Sequence, residues 1–192
     1  MLDCGLIRGN FYPRCLTNGN ETMAVLDILH YPDERLRVPS QPVETVDSEL
    51  QGLIDDMLET MYAASGVGLA APQVGRHLRL LVMDTSEERD RPLALVNPEV
   101  RATSGEQEGE EGCLSLPGVF EPVARPAEAR VAFLDREGAA REETFEGLAA
   151  RCVLHEQDHL DGKLFVDYLS RLKRSRLRKK LEKEKRSQAT PA

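Results

Sequence analysis

The sequence predicts an α+β domain, with antiparallel or mixed strands packed around one central helix and a further helix at the C-terminal end. Three observations support this prediction. An apolar stripe with helical period runs from Leu50 to Tyr62. Several short Leu- and Val-rich segments are bounded by Gly, Pro or charged clusters, which is typical of strands. A second helical segment, Leu148–Gly162, follows the strands, and a sheet needs such a helix to cover its apolar face.

Composition limits the architecture and the class of protein. At 192 residues the chain has the length of one domain, and 41% apolar residues are enough for its core. A net charge of −8 argues against a general nucleic-acid binder, and no apolar run approaches the roughly 18 residues of a membrane helix. The four cysteines lack the dense spacing of a disulfide scaffold, and no secretory leader opens the chain. We therefore expect a cytoplasmic protein with free thiols and no membrane partner.

The N-terminal part divides into an arm and the start of a domain. Residues 1–22 show neither strand nor helical period, so we expect a disordered or extension arm ahead of a catalytic domain at 23–170. The first helix is expected to start near Asp47, in a Val-Asp-Ser sequence that suits a helix N-terminus. It is expected to end before Ser65 and Gly66.

The middle of the chain predicts the strands. Leu78–Asp84 and Leu93–Asn97 have strand composition, whereas Arg101–Gly112 is polar and acidic and predicts a loop. Ala129–Leu134 and Glu142–Glu146 are joined by DREGAA and predict a hairpin.

Residues 171–192 predict a basic C-terminal helix and tail, with the helix starting near Asp167. From Arg171 to Arg186 there are ten Lys or Arg but only two Glu, a local net charge of +8. A solvated helix face and a docking surface for a polyanion such as RNA explain this charge equally well.

The central helix carries the sequence H-E-x-x-H. His155 and His159 lie one turn apart on a helix of about 3.6 residues per turn, so both imidazoles can hold one ion. Glu156 lies beside them, where it can activate a water molecule. The pattern predicts a metal-binding helix and favours a metal-assisted hydrolase.

Two histidines leave the ion short of a ligand. The longer zinc-peptidase motif would place a third histidine where this chain has Phe165, and no histidine follows His159. Glutamates on the basic tail lie in a segment expected to be solvated. Cys113, in the turn-rich EGCLSLPG segment, is the favoured third ligand. Cys152 lies about 10 Å along the helix from His159 and is expected to line a pocket instead.

Three segments in this order resemble the motifs of the bacterial type I peptide deformylases: GVGLAAPQ at 66–73, EGCLS at 111–115 and HEQDH at 155–159. The resemblance extends from about Met23 through the basic tail. It implies that Cys113, His155 and His159 bind ferrous iron, with zinc, nickel or cobalt as substitutes, and that Glu156 is the general acid/base. It also implies removal of the formyl group from formyl-methionine of nascent peptides, with release of formate.

The same resemblance implies further roles. The amide of Gln73 and the backbone N–H of Leu114 would stabilise the oxyanion, and the basic tail would dock on the ribosome. Arg151 occupies a position that is commonly apolar in these enzymes, on the rim of the methionine pocket. Asp158 and Arg125 are expected to form an ion pair near the ligands. The residues expected to contact substrate are Val67, Gly68, Gly112, Leu148 and Cys152.

Two other functions fit the residues. A metallopeptidase that cuts internal bonds would cleave unformylated peptides and would tolerate loss of Cys113 if its third ligand lay elsewhere. A non-enzymatic ribosome- or RNA-binding protein with a structural metal would not need Glu156.

Overall fold

The computed structural model describes residues 24–188, so the expected arm at 1–22 lies outside the described part. The α+β prediction is confirmed. The three α-helices are α1 (Ser48–Ala63), α2 (Gly147–Leu160) and α3 (Arg171–Gln188). The strands are β1 (Gly68–Ala70), β2 (Leu80–Met83), β3 (Leu93–Ser104), β4 (Gln107–Cys113), β5 (Leu116–Arg125), β6 (Glu128–Leu134) and β7 (Ala140–Glu146).

The larger sheet lies between α1 and α2. Its five strands have the order β1-β2-β3-β6-β7, and each neighbouring pair is antiparallel. Side chains alternate between the two faces of a strand. On β2, Leu81 and Met83 belong to the cluster that includes α2, whereas Leu80 and Val82 belong to the cluster that includes α1. Helix α2 therefore packs against one face of the sheet, and α1 packs against the other.

The start of α1 agrees with the predicted start. The Asp47 carboxylate accepts a hydrogen bond from the Leu50 amide at 3.0 Å, which caps the first turn. The hairpin of β6 and β7 was also predicted, although β7 begins two residues before Glu142.

A separate two-stranded sheet replaces the loop expected at Arg101–Gly112. That expectation was wrong, because β3 continues to Ser104 and β4 starts at Gln107. The sequence of β4, QEGEEGC, has no strand-forming composition, and its pairing with β5 overrides local preference. β5 was not predicted either. The pair brings Cys113, at the end of β4, to the metal-binding helix.

The C-terminal helix begins later than expected. Phe165–Tyr168 forms a 3-10 turn, and α3 starts at Arg171 rather than near Asp167. Leu177 and Leu181 of α3 pack against the cluster that contains Phe165 and β5. Within residues 24–188, no helix is long and apolar enough to cross a membrane.

Candidate metal centre

The ligands favoured from the sequence come together in the structure. Cys113, His155 and His159 each offer one donor atom, and these atoms all lie within 4.8 Å of one another. The Cys113 Sγ is 3.2 Å from His159 Nε2, and the two imidazole centroids are 5.1 Å apart. The chain therefore has a Cys/His/His metal site at the contact between β4 and α2.

The two imidazoles differ in their hydrogen bonds and in their pKa values. His155 Nδ1 lies 3.0 Å from Glu111 Oε2, which leaves Nε2 for an ion. Burial lowers the pKa of His159 well below its usual value, and a metal ligand must be the neutral imidazole. The buried Nδ1 of His159 has no hydrogen-bond partner among the described residues. Burial also acts to lower the pKa of His155, but hydrogen bonds with Cys113 and Glu111 raise it well above its usual value, so a metal would have to displace a proton there. The donor set itself fits a divalent first-row metal.

A buried ionic network holds Glu111, a residue that the sequence did not single out. The Glu111 carboxylate accepts from Arg125 Nε at 2.7 Å, from Arg125 Nη2 at 2.9 Å and from Arg151 Nη1 at 3.1 Å. Arg125 Nη1 also contacts Asp158 at 2.6 Å, which confirms the expected ion pair. Burial alone would raise the pKa of Glu111, but hydrogen bonds from His155 and Arg125 lower it to about 2. Glu111 is thus a fixed anion that orients the His155 ring.

Replacing Glu111 with glutamine should destabilise the metal-free protein by about 3 kcal/mol at pH 7, because buried Arg151 loses its carboxylate partner and buried Arg125 keeps only Asp158. The Glu111 carboxylate has a pKa of about 2 when folded against an ordinary value of 4.5. Its contribution is therefore complete above about pH 4.5 and is lost as the pH falls towards 2. Urea unfolding at pH 7 and pH 3 measures this contribution. The free energy of unfolding of Glu111→Gln should lie further below that of wild type at pH 7 than at pH 3. Glu110→Gln, at the exposed neighbouring position, should have the same free energy of unfolding as wild type at both pH values.

Glu156 lies beside the cluster on α2 and is 4% exposed. Burial raises its pKa to about 7, against the opposing charge of His155. Its Oε2 is buried and finds no hydrogen-bond partner within the described part of the chain. A carboxylate in this state can exchange a proton near neutral pH.

Gln73 is oriented by its own backbone. Its Oε1 accepts from the Ala70 amide at 2.8 Å, so its Nε2 points towards Ser115 Oγ at 3.1 Å and Cys113 Sγ at 3.6 Å. Leu114 follows Cys113 directly, and its side chain lies against Gly66.

A cavity of about 590 Å³ opens onto the cluster. Its wall includes every residue expected to contact substrate, namely Val67, Gly68, Gly112, Leu148 and Cys152. It also includes Phe120, which is 65% exposed, covers Gly112 and has no sequence signal that marks it. The Cys152 Sγ lies 3.4 Å from the Val67 carbonyl, and burial raises the pKa of this thiol well above its usual value. Cys152 is therefore a wall residue outside the ligand cluster.

Gly68 allows Glu156 to approach the strand edge. A Cβ on Gly68 would lie 2.6 Å from both Cys152 Sγ and Glu156 Oε1. Gly68→Ala should therefore displace the carboxylate and lower kcat/KM by about 100-fold for a formylated peptide, the substrate that the sequence resemblance implies. Gly52→Ala is the matched control, because a Cβ on Gly52 would meet nothing within 4 Å. Activity of the control within twofold of wild type, with a hundredfold loss for Gly68→Ala, is the expected result; equal activities would contradict it.

Arg151 lies at the cavity, and its guanidinium is held by hydrogen bonds to protein groups. It is 8% exposed, and Nη1 donates to the carbonyls of Gly109 at 3.2 Å and Val123 at 3.0 Å. Together with its contact to Glu111, these bonds tie α2 to the β4–β5 pair. The guanidinium is thus satisfied by protein groups, although its side chain still forms part of the cavity wall.

The comparisons with known proteins agree with this geometry. The sequence profile of the polypeptide deformylase family matches residues 25–175. A peptide deformylase of Nitrosococcus oceani is 56% identical over 167 residues, covering 87% of this chain and all of the relative. The crystal structure of a peptide deformylase from Legionella pneumophila has 53% identity and a TM-score of 0.82, covering 88% of this chain and all of that one.

A further solved structure extends the likeness to a more distant sequence. The peptide deformylase of Ehrlichia chaffeensis, solved in complex with actinonin, is 43% identical with a TM-score of 0.83 and covers 85% of this chain and 99% of that one. The family match at residues 25–175 runs from ahead of α1 into the start of α3 and includes the Cys/His/His cluster. The chain therefore belongs to the peptide deformylase family of metal-dependent hydrolases, whose activity is removal of the N-formyl group.

Proposed function

We propose that this chain removes the formyl group from the N-terminal formyl-methionine of newly made polypeptides and releases formate. In this proposal Cys113, His155 and His159 hold the metal, and Glu156 is the general acid/base. The observation that carries it is a buried Glu156, with a pKa raised to about 7, beside the Cys/His/His cluster and at the wall of the cavity.

The metal is proposed to be ferrous iron, the usual ion of the family that the motifs resemble, with zinc, nickel or cobalt as possible occupants of purified protein. A site with two imidazoles and one thiolate suits several of these ions. When bound, the ion supplies a Lewis acid that lowers the pKa of a water molecule and polarises the formyl oxygen.

The protein groups carry the proton and the developing charge. Glu156 takes a proton from a water molecule while the water oxygen adds to the formyl carbon. Glu156 then gives that proton to the amine nitrogen as the C–N bond breaks. Formate and the free amino group of methionine are the products. The Gln73 amide, held by Ala70, and the backbone N–H of Leu114 are placed to donate to the oxyanion, where one donor typically contributes about 3 kcal/mol.

The cavity wall supports the proposed substrate. Val67, Leu148 and Cys152 offer apolar surface next to the ligands, as a methionine side chain requires. β1 is an edge strand of the five-stranded sheet, so the backbone of an extended peptide can pair beside Gly68. Gly112 also lines the cavity, and the exposed Phe120 ring packs directly against it.

Formate release from formyl-Met-Ala-Ser tests this function directly. Protein prepared without oxygen should release formate with iron or nickel bound, and no release with either metal would contradict the proposal. Cleavage of the unformylated peptide would instead favour an internal metallopeptidase.

We place the catalytic domain at 23–170 and propose that the basic helix and tail at 171–192 dock on the ribosome. Arg176 and Lys179 are exposed on α3, whereas Leu177 packs inward, so charge can be changed without loss of core. The free thiols of Cys113 and Cys152 suit the cytoplasm, where nascent chains emerge.

Replacing both Arg176 and Lys179 with glutamate should weaken co-sedimentation with ribosomes and make it less steeply dependent on salt. Hydrolysis of formyl-Met-Ala-Ser should stay within twofold of wild type. Replacing Arg91 on the β2–β3 loop and Arg141 on β7 with glutamate changes the net charge by the same amount. This control variant should co-sediment with ribosomes like wild type. If both double variants co-sediment like wild type, α3 is only a solvated face.

A further inference from the structure

A second buried polar cluster lies outside the metal centre, on the loop that follows β2. The Asp84 carboxylate is almost fully buried and accepts from the Tyr62 hydroxyl at 2.5 Å and the Ser86 hydroxyl at 2.6 Å. It also accepts from the backbone amides of Ser86 at 3.0 Å and Arg91 at 3.2 Å. One carboxylate therefore fixes both ends of the loop 84–91 and joins the loop to α1.

Arg89 has a left-handed backbone within this loop, with φ of 57°. This conformation is uncommon for a residue other than glycine and persists where the surrounding structure determines it. The Arg89 guanidinium lies over the Tyr62 ring at 5.1 Å, and its Nη2 donates to the carbonyl of Gly66. The loop thus places the Arg89 guanidinium beside the segment that leads into β1.

That segment forms one wall of the cavity. Gly66, Val67 and Gly68 all line it, and β1 is the edge strand of its sheet. The Gly66 amide donates to the Met61 carbonyl at 2.8 Å, and the Val67 carbonyl accepts from the Asp84 amide at 2.9 Å. The contact from Arg89 adds a third fixed point, so the edge is held in place before any peptide arrives.

The position of Gly66 determines which part of a peptide it affects. Gly68 lies against Glu156, at the reacting centre. Gly66 lies two residues before Gly68, at most about 7 Å away along the chain. A peptide that pairs with this edge would therefore reach Gly66 with residues beyond its methionine, not with the formyl group.

We propose that Arg89 is a positioning residue for peptide binding, which fixes the Gly66 carbonyl and so preorganises residues 66–68 as the edge that pairs with substrate residues beyond methionine. This inference rests on the proposed function for its substrate class. Arg89 reaches the edge through Gly66 and does not belong to the metal cluster. Because such pairing is equal in the bound substrate and the transition state, its loss should raise KM and spare kcat.

The test compares Arg89→Ala with Arg91→Ala, a matched control in the same loop whose side chain is 84% exposed. For formyl-Met-Ala-Ser, Arg89→Ala should raise KM about tenfold and leave kcat within twofold. For formyl-methionine, which ends before this part of the edge, kcat/KM should stay within twofold. Arg89→Lys should recover part of the KM loss, and Arg91→Ala should match wild type throughout.

Calorimetric binding of the product peptide Met-Ala-Ser provides a readout that needs no turnover, and Arg89→Ala should weaken it about tenfold. An equal loss for the long and short substrates, or unchanged peptide binding, would overturn the inference. Absence of formate release by the wild-type protein would refute the proposed function instead, while the calorimetric comparison would still decide the role of Arg89.

Discussion

Replacing Glu156 with glutamine is expected to lower kcat for formyl-Met-Ala-Ser by about 10²–10⁴-fold. Glutamine has nearly the same shape but cannot take a proton from water or return one to the leaving amine. Because Glu156 lies outside the group of three donor atoms, the variant should keep its metal. Formate release and metal analysis on the same preparation test both parts.

The outcome separates the hydrolase from a protein without catalytic activity. A ribosome- or RNA-binding protein with a structural metal would lose nothing on Glu156→Gln, since its function does not involve proton transfer. Full turnover by the variant would therefore refute the proposed role of Glu156. Glu146→Gln, the same substitution at an exposed glutamate directly ahead of α2, is the control for the change of charge and should keep the turnover of wild type.

The pH dependence of kcat/KM of the wild-type enzyme tests the same role of Glu156. As a base, Glu156 must be deprotonated, so kcat/KM should fall as the pH decreases through its pKa. Burial raises that pKa to about 7 in the metal-free protein, and the positive charge of a bound ion acts in the opposite direction. The acidic limb of the profile should therefore lie at or below about pH 7 and should be absent from the residual activity of Glu156→Gln.

Local patterns predicted the parts of the fold that are stabilised locally. The apolar stripe of α1, its Asp47 cap and the β6–β7 hairpin depend on neighbours in sequence. β4 depends on its partner β5 instead. Its alternating charges are exposed while Glu111 points inward, so the composition resembled a loop.

The candidate site was likewise predicted only where its residues are close together in the sequence. His155, Glu156 and His159 share one helix turn, which makes their arrangement visible from spacing alone. Glu111 contacts Arg125, Arg151 and His155, which are 14, 40 and 44 residues away in the chain, so no short motif reveals its role. Arg151 lines the cavity as its position suggested, but its hydrogen bonds were not predicted for the same reason, because its partners include carbonyls of β4 and β5.

Replacing Cys113 with alanine is expected to abolish stable metal binding and to lower kcat/KM by about 10³-fold or more. The two imidazoles remain, but the ion loses its thiolate and contacts only one helix. Losing the hydrogen-bond partner of a metal-bound histidine already costs about 10–100-fold in metal affinity or activity, and removing a ligand should cost more. The ion supplies several kcal/mol of charge stabilisation, which sets the size of the catalytic loss.

Cys152 provides the matched control, because it is the other described cysteine near the site but is not among the three grouped donors. Cys152→Ala should retain metal in the same stoichiometry as wild type, whereas Cys113→Ala should lose it on gel filtration. With cobalt, wild type and Cys152→Ala should share the charge-transfer absorption of a thiolate ligand, and Cys113→Ala should lack it. Retention of metal and peptide hydrolysis by Cys113→Ala would mean that the third ligand lies elsewhere, as in an internal metallopeptidase, and would remove the basis of the Cys/His/His centre.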